Sequence, residues 1–385
     1  MFISGLKKYL FDFYILFRFF ISVIKRYGFI KGVSNILLYF KHKQNLFRDL
    51  PNRYIKKGSF IFVVPDVPPV NTKDFIKYLI NDLALQLNKQ KPTLLFSIIC
   101  ISSVCPYKCR YCYNISSHTK EQQLSFEVII KTIEELIKLG VKNIYLSGGE
   151  PMMRFEVIIE ILKKFSNQGI GFWLVTTGWG LDKEKAITLE NLGLRGVMIS
   201  LDDVVPYRIN NIKGKAAFEN AVKAIKAASE TNLVVVADCV VHKDMLKVEN
   251  FEAYISFAGS IGVDFINLYA PRIKEDMANE ELRNLSVSEL RQIGYLAKQN
   301  QTLSKYLQLP LAYSPDEFES RRGCLGGEVF FYIGPDGSVK ACPFKEKVIG
   351  NVKNKNIADI INEYRSSNEK EYCAVNSLLV QEKWD

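Results

Sequence analysis

Three cysteines in one short loop are the residues of this chain best suited to carry chemistry. Cys105, Cys109 and Cys112 lie in the sequence Cys-Pro-Tyr-Lys-Cys-Arg-Tyr-Cys, directly after an apolar run over 94–100. Thiolates at this spacing can bind three irons of a cubane cluster from one side. The fourth iron then has no ligand from the loop, and a catalytic centre needs such an open position. The loop therefore predicts a catalytic [4Fe-4S] cluster.

A structural zinc site is the alternative for the same three thiols. Structural zinc takes four ligands, and the fourth would have to be a nearby cysteine or histidine. His118 is the one histidine close in sequence; the others are His42 and His242. The cluster is favoured because the family resemblance given below also accounts for the Gly-Gly-Glu-Pro sequence at 148–151, for which zinc gives no reason. Cys100 and Cys239 lie inside apolar runs, where cysteine is typically a small core residue.

A second cysteine group lies near the C-terminal end of the sequence. Cys324 and Cys342 flank a Gly-Pro-Asp-Gly turn sequence at 334–337, which predicts a hairpin between two short strands. Such a hairpin would bring Cys342 back toward Cys324. Cys373 is the third member of this group. The alternatives are one auxiliary iron–sulfur cluster and a hairpin without metal, and the spacing favours the cluster.

The elements that must position these residues alternate between strands and helices. Six apolar runs read as strands, helical patterns lie between them, and consecutive βα units form a parallel sheet. The fold class is therefore α/β, a partial (β/α)6 TIM-like barrel with a small C-terminal iron–sulfur extension and an amphipathic helical N-terminus. The six predicted strands span 94–100, 142–147, 172–177, 196–201, 233–241 and 264–269.

The cysteine loop resembles the signature of the radical S-adenosylmethionine (SAM) superfamily. Its three cysteines match the Cys-x3-Cys-x-aromatic-Cys pattern, with Tyr111 as the aromatic residue. Gly148, Gly149, Glu150 and Pro151 match the family's Gly-Gly-Glu-Pro element at the end of the second strand. Further matches at the ends of later strands are Thr176 and Thr177, which stand where relatives show Thr-Asn, and Ser200 with Asp202.

This resemblance implies the activity and the roles of the matched residues. The family cleaves SAM reductively at a [4Fe-4S] cluster, and the resulting 5′-deoxyadenosyl radical abstracts hydrogen from a substrate. Tyr111 is expected near the adenine, 148–151 near the methionyl amino group, and Thr176, Thr177, Ser200 and Asp202 as further SAM contacts. Position alone makes Asp202, Asp203 and Asp238 candidates for a catalytic acid or base. The resemblance also implies a flavodoxin or ferredoxin as electron donor.

The C-terminal cysteines resemble a shortened SPASM/twitch extension, which in relatives holds auxiliary clusters. Longer versions continue with a dense run of cysteines, whereas this chain offers only Cys373 after Cys342. We therefore expect at most one auxiliary cluster, held by Cys324, Cys342 and Cys373. Relatives with this extension modify peptides, proteins or small molecules. The alternative of another class is a non-catalytic metal-binding module that docks on a membrane or on nucleic acid.

The net charge of the chain is confined to its first 58 residues. That segment has twelve Lys and Arg against two acids and so carries +10, the net charge of the whole chain. Its apolar residues suit an anionic membrane better than nucleic acid, and no specific nucleic acid partner is expected. Helix formation places seven polar residues on one side, namely Lys7, Lys8, Asp12, Arg18, Ser22, Lys25 and Arg26.

Two alternatives remain for this N-terminal helix: it lies in a membrane interface, or it packs on the protein's own barrel. Charged residues at 12 and 18 interrupt the apolar stretch, so a membrane span is not expected. The membrane alternative favours a cytoplasmic enzyme at the membrane periphery, with a lipid-linked or membrane-associated substrate. A peptide- or protein-modifying enzyme is the alternative. We predict segments at 1–58 (basic helical), 59–92 (linker and one helix), 93–310 (barrel) and 311–385 (extension).

Overall fold

The computed structural model divides the chain into two compact units. The first comprises residues 1–93 and 299–308, and the second comprises residues 94–298 and 309–385. Within these units the structure describes residues 1–41, 50–87, 93–113, 123–273, 283–367 and 375.

The N-terminal unit is a small three-stranded sheet with three helices. The antiparallel strands follow the order β1-β2-β3. Arg53 ties this unit together: its side chain is fully buried, and its Nη1 atom donates to the Asn300 carbonyl at 2.7 Å. Thr72 caps the third helix by accepting from the Phe75 amide. The elements are β1 Phe2–Ser4, α1 Gly5–Tyr27, α2 Phe29–Lys41, β2 Arg53–Lys57, β3 Phe60–Phe62 and α3 Lys73–Gln86.

Helix α1 buries the side that its sequence marks as polar. Its buried residues are Lys8, Ile15, Phe19 and Val23, and the three apolar ones belong to the core of the N-terminal unit. Lys8 is tolerated there because its ammonium forms an ion pair with Asp12 at 2.5 Å. The packed residues thus lie on or beside the side of α1 that carries the seven polar residues, and the opposite, apolar side is not part of this packing.

The second unit is built on one ten-stranded sheet with the order β10-β9-β8-β7-β6-β5-β4-β11-β12-β13. The strands from β10 to β11 run parallel, and β12 and β13 are antiparallel. The six predicted strands correspond to β4 Phe96–Ser102, β5 Asn143–Gly148, β6 Gly171–Thr176, β7 Leu194–Ser200, β8 Val234–Val240 and β9 Phe265–Tyr269. The remaining strands are β10 Leu311–Tyr313, β11 Phe330–Ile333, β12 Ser338–Lys340 and β13 Val348–Asn351.

Helices follow the strands as the alternating pattern predicts. Ser125 caps the first of them by accepting from the Val128 amide. Helix α7 was not predicted, nor were α10 and α11; α7 lies between β7 and the helix expected near 216–231, and it carries a residue of the site. The helices are α4 Phe126–Lys138, α5 Phe155–Phe165, α6 Lys183–Asn191, α7 Pro206–Lys213, α8 Ala217–Ser229, α9 Val248–Ser260, α10 Val287–Thr302, α11 Pro315–Arg322 and α12 Ile357–Ser366.

The C-terminal hairpin forms as predicted and adds to the sheet of the barrel. Strands β11 and β12 pair antiparallel across the turn at 334–337, and β11 also pairs parallel with β4. At the opposite end, β10 pairs parallel with β9. The extension therefore continues the barrel sheet at both edges. Among the described residues, no helix is long and apolar enough to cross a membrane.

Candidate functional site

The cysteine loop follows the C-terminal end of β4 and is held by the end of α7. The Lys108 amide donates to the Lys213 carbonyl at 3.2 Å, and the Arg110 amide donates to the Ile212 carbonyl at 3.3 Å. On the same loop, the Tyr107 hydroxyl accepts from Asn220 at 2.7 Å. The loop is therefore fixed against two helices of the barrel, as a metal-binding loop on a rigid scaffold requires.

The three thiols of the loop fit an iron–sulfur cluster. Each is partly buried, and their negative charges act on one another when they ionise. Burial raises the pKa of Cys105 to about 11 and that of Cys109 to about 12, with the neighbouring thiolates adding to both shifts. Three mutually repelling thiolates need cationic partners, and iron supplies them. The soft sulfur ligand set suits iron–sulfur chemistry.

No three His, Cys, Asp or Glu side chains in the described part of the chain converge on the position of a single metal ion. A cubane differs from a single ion because each cysteine binds its own iron, so the ligand sulfurs stand apart. His118 and His42 lie outside the described residues. Cys100 and Cys239 are fully buried in strands, which confirms that they belong to the core.

The glycines at 148 and 149 allow the end of β5 to lie directly against the cysteine loop. A Cβ atom on Gly148 would lie 2.4 Å from the Ser102 carbonyl oxygen, and one on Gly149 would lie 2.6 Å from that of Val104. Backbone hydrogen bonds of 2.8 Å join Gly149 to Ser102 and Glu150 to Val104. The two glycines of the segment expected near the methionyl amino group are thus required for packing against the cysteine loop.

Glu150 joins the ends of β5 and β6. Its carboxylate is fully buried and accepts four hydrogen bonds within the protein. Oε1 accepts from the Met152 amide at 3.0 Å and the Thr176 hydroxyl at 2.7 Å. Oε2 accepts from the Thr177 amide at 2.9 Å and the Thr177 hydroxyl at 2.5 Å. Burial raises the pKa of Glu150, although these hydrogen bonds oppose the shift. The side chain acts as a brace between two predicted SAM-binding segments.

Asp202 is the centre of a buried group beside the cysteine loop. Its Oδ1 accepts from the Val240 amide at 3.0 Å, and its Oδ2 accepts from the Tyr111 hydroxyl. Lys213 Nζ lies 2.9 Å from the same Oδ2 as an ion pair, with both side chains at most 5% exposed. Burial and the charge of Asp202 keep the pKa of Tyr111 well above its usual value. The ring that was predicted near adenine is therefore fixed through its hydroxyl.

Lys213 and Asn267 are residues of this site that no sequence pattern indicated. The Lys213 ammonium makes no aligned hydrogen bond among the described residues, and its charge favours the thiolate of Cys109. It also lies 6.0 Å from the centre of the Tyr111 ring. The signal available in the sequence was a Lys-Gly pair at the end of the unpredicted helix α7, which by itself is too common to indicate a site.

Asp203 is occupied by contacts that fix the start of α7. Its Oδ1 accepts from the Val205 amide at 3.0 Å, and its Oδ2 accepts from Arg208 at 3.1 Å. His242 Nε2 lies 2.9 Å from the same Oδ2. Burial alone would raise the pKa of Asp203, but His242, the Val205 amide and Arg208 together lower it to about 2. The carboxylates of Asp202 and Asp203 are thus both held in internal contacts.

Asp238 faces the inside of the curved sheet. Ala237 and Cys239 belong to the core beneath the helices, so Asp238 between them points to the opposite face. It is paired across the sheet with Ser200 on one side and Asn267 on the other. Asn267 Nδ2 donates to Asp238 Oδ1 at 2.9 Å, while Asn267 Oδ1 is buried without a hydrogen-bond partner among the described residues.

The hairpin brings two of the three C-terminal cysteines together, as predicted. A Cβ atom on Gly326 would lie 2.8 Å from the Cys342 Cβ atom, so the segment after Cys324 lies against Cys342. Lys345 is buried between them: burial would lower its pKa, but the charges of Cys324, Tyr364 and Cys342 raise it. Cys373 lies outside the described residues. The pair thus fits part of an iron–sulfur site.

A cysteine loop at the carboxyl end of a parallel sheet, together with a separate pair of cysteines in the C-terminal hairpin, is typical of an iron–sulfur enzyme on a partial barrel. Sequence profiles agree with this class. The Radical SAM superfamily matches residues 99–258, and an iron–sulfur cluster-binding SPASM domain matches residues 324–376. The chain belongs to the radical SAM superfamily and carries a SPASM-type extension. Its cofactors are accordingly a [4Fe-4S] cluster and SAM, together with auxiliary iron–sulfur binding in the extension.

Curated relatives and solved structures show where the similarity lies. A PqqA peptide cyclase from Bradyrhizobium diazoefficiens is 27% identical over 259 residues, which covers 65% of this chain and 67% of the relative. A GTP 3′,8-cyclase from Aliarcobacter butzleri is 26% identical over 225 residues, or 56% of this chain and 69% of that protein. The crystal structure of Streptococcus suis SuiB bound to the precursor peptide SuiA has a TM-score of 0.58 at 14% identity, covering 83% of this chain and 79% of SuiB.

Proposed function

We propose that this radical SAM enzyme modifies a peptide. The observation that carries the proposal is the PqqA peptide cyclase match, which extends over 65% of the chain. The SuiB structure supports it, since its fold covers 83% of this chain and it binds a precursor peptide. The similar GTP cyclase acts on a nucleotide, so the substrate class of this enzyme is the property that the experiment below tests. The alternative of a lipid-linked substrate rests on the charge of the N-terminus alone.

Cys105, Cys109 and Cys112 would hold the catalytic cluster in this proposal. When bound, that cluster supplies the single electron for reductive cleavage of SAM. The protein's part is to fix the loop: Lys108 and Arg110 bind it to the end of α7 through backbone hydrogen bonds. Cys324, Cys342 and Cys373 would hold the auxiliary cluster. A flavodoxin or ferredoxin would serve as the electron donor.

The SAM cradle would be formed mainly by backbone. The Thr176 hydroxyl donates to the Glu150 carboxylate, so these two side chains would hold the segments at 148–151 and 176–177 in place and would not themselves contact SAM. The amides of Gly149, Glu150 and Thr177 are also occupied, so backbone carbonyl groups of 148–151 and 176–177 would contact SAM, with Tyr111 and Ser200 beside them. Lys213 adds a buried positive charge at the same place.

Asp238 and Asn267 would contact the substrate peptide. Asp202 and Asp203 hold the loop and helix α7 by the contacts described above, so they are positioning residues. Asp238 faces the interior of the sheet beside Asn267, whose Oδ1 atom is buried without a partner within the described ranges. A buried polar atom of this kind costs free energy unless something hydrogen-bonds to it. A polar group of the substrate would supply that hydrogen bond.

Contact with an anionic membrane, which the charge of residues 1–58 predicts, concerns the N-terminal unit and is independent of the chemistry in the barrel. A location in the cytoplasm at the membrane periphery would follow from that contact and is likewise independent of the chemistry in the barrel. Nucleic acid binding forms no part of this proposal, because the basic segment is rich in Phe, Ile and Leu.

The substrate class can be tested without knowing the substrate. Host cells are grown in deuterated medium, and their small-peptide fraction and lipid extract are given separately to the reconstituted enzyme with unlabelled SAM under anaerobic conditions. Hydrogen abstraction from a substrate transfers deuterium to 5′-deoxyadenosine, which mass spectrometry detects. We expect labelled product with the peptide fraction only, and loss of the label after that fraction is digested with protease.

Two results would overturn the peptide proposal. The first is labelled 5′-deoxyadenosine with the lipid extract but not with the peptide fraction. The second is a peptide fraction that still gives labelled product after exhaustive protease digestion, because the substrate would then be a small molecule. Asp238→Asn is the site variant for the same assay, with Glu160→Gln on the exposed surface as its matched control.

A further inference from the structure

Helix α1 carries a second apolar stripe, separate from the face that packs. Leu6, Leu10, Phe13, Phe17 and Phe20 recur at intervals of four and three residues, so they lie along one side of the helix. We call these five residues the outer stripe. Their exposed fractions run from 40% for Phe20 to 75% for Leu6. The buried face of the same helix is formed by Lys8, Ile15, Phe19 and Val23.

The outer stripe belongs to a large apolar surface. With about 200 Å² for a fully exposed side chain of this size, the five residues expose about 600 Å², the upper end for the largest patch on a typical monomer. Helix α2 adds Phe29, Ile30 and Leu37, which are 69%, 83% and 60% exposed. Fourteen of the 25 exposed large apolar side chains in the described residues lie within residues 1–41. Such concentration indicates a docking surface and not scattered exposure.

Positive charge accompanies this surface. Residues 1–41 contain seven Lys and Arg and a single acid, Asp12. Asp12 is occupied by Lys8 and the Tyr54 hydroxyl, so it does not balance the others. On a helical wheel, Lys7, Arg18 and Lys25 fall together on one flank of the outer stripe. An apolar stripe beside a basic flank is the pattern of a helix that inserts shallowly into an anionic membrane.

We propose that α1 and α2 dock the enzyme on an anionic lipid bilayer, with the outer stripe in the acyl boundary and the basic flank at the headgroups. Charge favours lipid over a second copy of the chain, because a symmetric dimer on this face would bring like charges together. An acidic protein partner would complement the charge of the basic flank but gives no reason for the five large apolar side chains of the outer stripe. The proposal goes beyond the peptide chemistry and stands independently of it.

The test is flotation of the full-length reconstituted protein with vesicles of phosphatidylcholine alone or with phosphatidylglycerol added. We expect flotation with the anionic vesicles, little with the neutral ones, and weakening at high salt. Lys7→Gln with Lys25→Gln should weaken binding by about 25-fold, since each basic residue near the surface contributes about fivefold. Leu10→Ser, Phe13→Ser and Phe17→Ser together should weaken it by at least about a hundredfold.

The matched control places the same kind of change on the barrel unit. Ile187, Val248 and Val348 are 40%, 40% and 52% exposed, and their joint change to Ser should leave flotation intact. The outer-stripe variant should keep the wild-type Tm and 5′-deoxyadenosine yield, because its three residues lie outside the buried core. Wild-type protein that stays at the bottom with anionic vesicles at low salt overturns the proposal. A wild-type dimer that the stripe variant converts to monomer, without flotation, assigns the face to a second copy.

Discussion

Replacing Glu150 by glutamine tests whether this side chain braces the site. Each carboxylate oxygen accepts one backbone amide, from Met152 at 3.0 Å and from Thr177 at 2.9 Å. A hydroxyl can rotate to accept, but a backbone N–H cannot. The NH2 group of glutamine must therefore face one of these amides in either orientation. One buried donor is left unsatisfied, which costs about 1–3 kcal/mol.

A partial offset comes from removing the charge. Burial raises the pKa of Glu150, so the ionised form is disfavoured in the folded protein and a neutral side chain recovers some free energy. Because Glu150 is fully buried, the cost of the unsatisfied donor lies near the upper end of its range, and after this offset we expect a net loss of about 2 kcal/mol in stability. Because Glu150 joins 148–151 to Thr177, much of this loss should appear at the SAM cradle. Half-saturation of 5′-deoxyadenosine formation should then need about tenfold more SAM, which corresponds to 1.4 kcal/mol.

The assay combines the apparent Tm of the reconstituted protein with 5′-deoxyadenosine formation over a range of SAM concentrations. Glu160→Gln is the matched control, because Glu160 is exposed and forms one surface ion pair with Lys163 at 2.8 Å. That change should alter stability by less than about 0.5 kcal/mol. A Glu150→Gln protein with the Tm and SAM dependence of the control would refute the role of Glu150 as a brace.

Three further predictions concern the neighbouring side chains. Lys213→Met removes the cation beside the buried carboxylate of Asp202 and should lower the free energy of unfolding by about 3 kcal/mol, and adding Asp202→Asn should restore much of that loss. Thermal unfolding of both variants measures this, and a double variant no more stable than Lys213→Met would contradict the ion pair. Asp238→Asn should abolish deuterium transfer from the peptide fraction while leaving SAM cleavage without substrate within about twofold; equal loss of both activities would place Asp238 at SAM instead. The protein with Cys105, Cys109 and Cys112 all changed to Ala should retain about four irons in the C-terminal extension; iron content near zero would show a bare hairpin.

Much of the barrel could be predicted because its sequence patterns are local. The six apolar runs became β4 to β9, with ends within two residues of the predictions. The cysteine loop and the Gly-Gly-Glu-Pro segment were found from residue type and spacing alone. Their contact is not local: the glycines at 148 and 149 lie against Ser102 and Val104, and only parallel pairing of β4 with β5 brings them there.

What could not be predicted depends on contacts between distant segments. Lys213 has no motif, and its role appears only when the end of α7 meets the cysteine loop. Position in the sequence made Asp202 and Asp203 catalytic candidates. It could not show that their carboxylates accept hydrogen bonds from Tyr111, Val205 and Arg208, because these contacts form only in the folded protein. The burial of Lys8 on α1 could not be predicted for the same reason, since its contacts with Asp12 and the Tyr54 ring form only in the folded unit.

The most direct test of the central claim is SAM cleavage by anaerobically reconstituted protein with dithionite. We expect wild-type protein to release 5′-deoxyadenosine and the Cys109→Ala variant to release none, because that cysteine would hold one iron of the cluster. Cys239→Ala is the matched control, since Cys239 is a fully buried core residue of β8, and it should retain cleavage. Full turnover by the Cys109→Ala protein, or no 5′-deoxyadenosine from wild-type protein that contains a [4Fe-4S] cluster, would contradict the account.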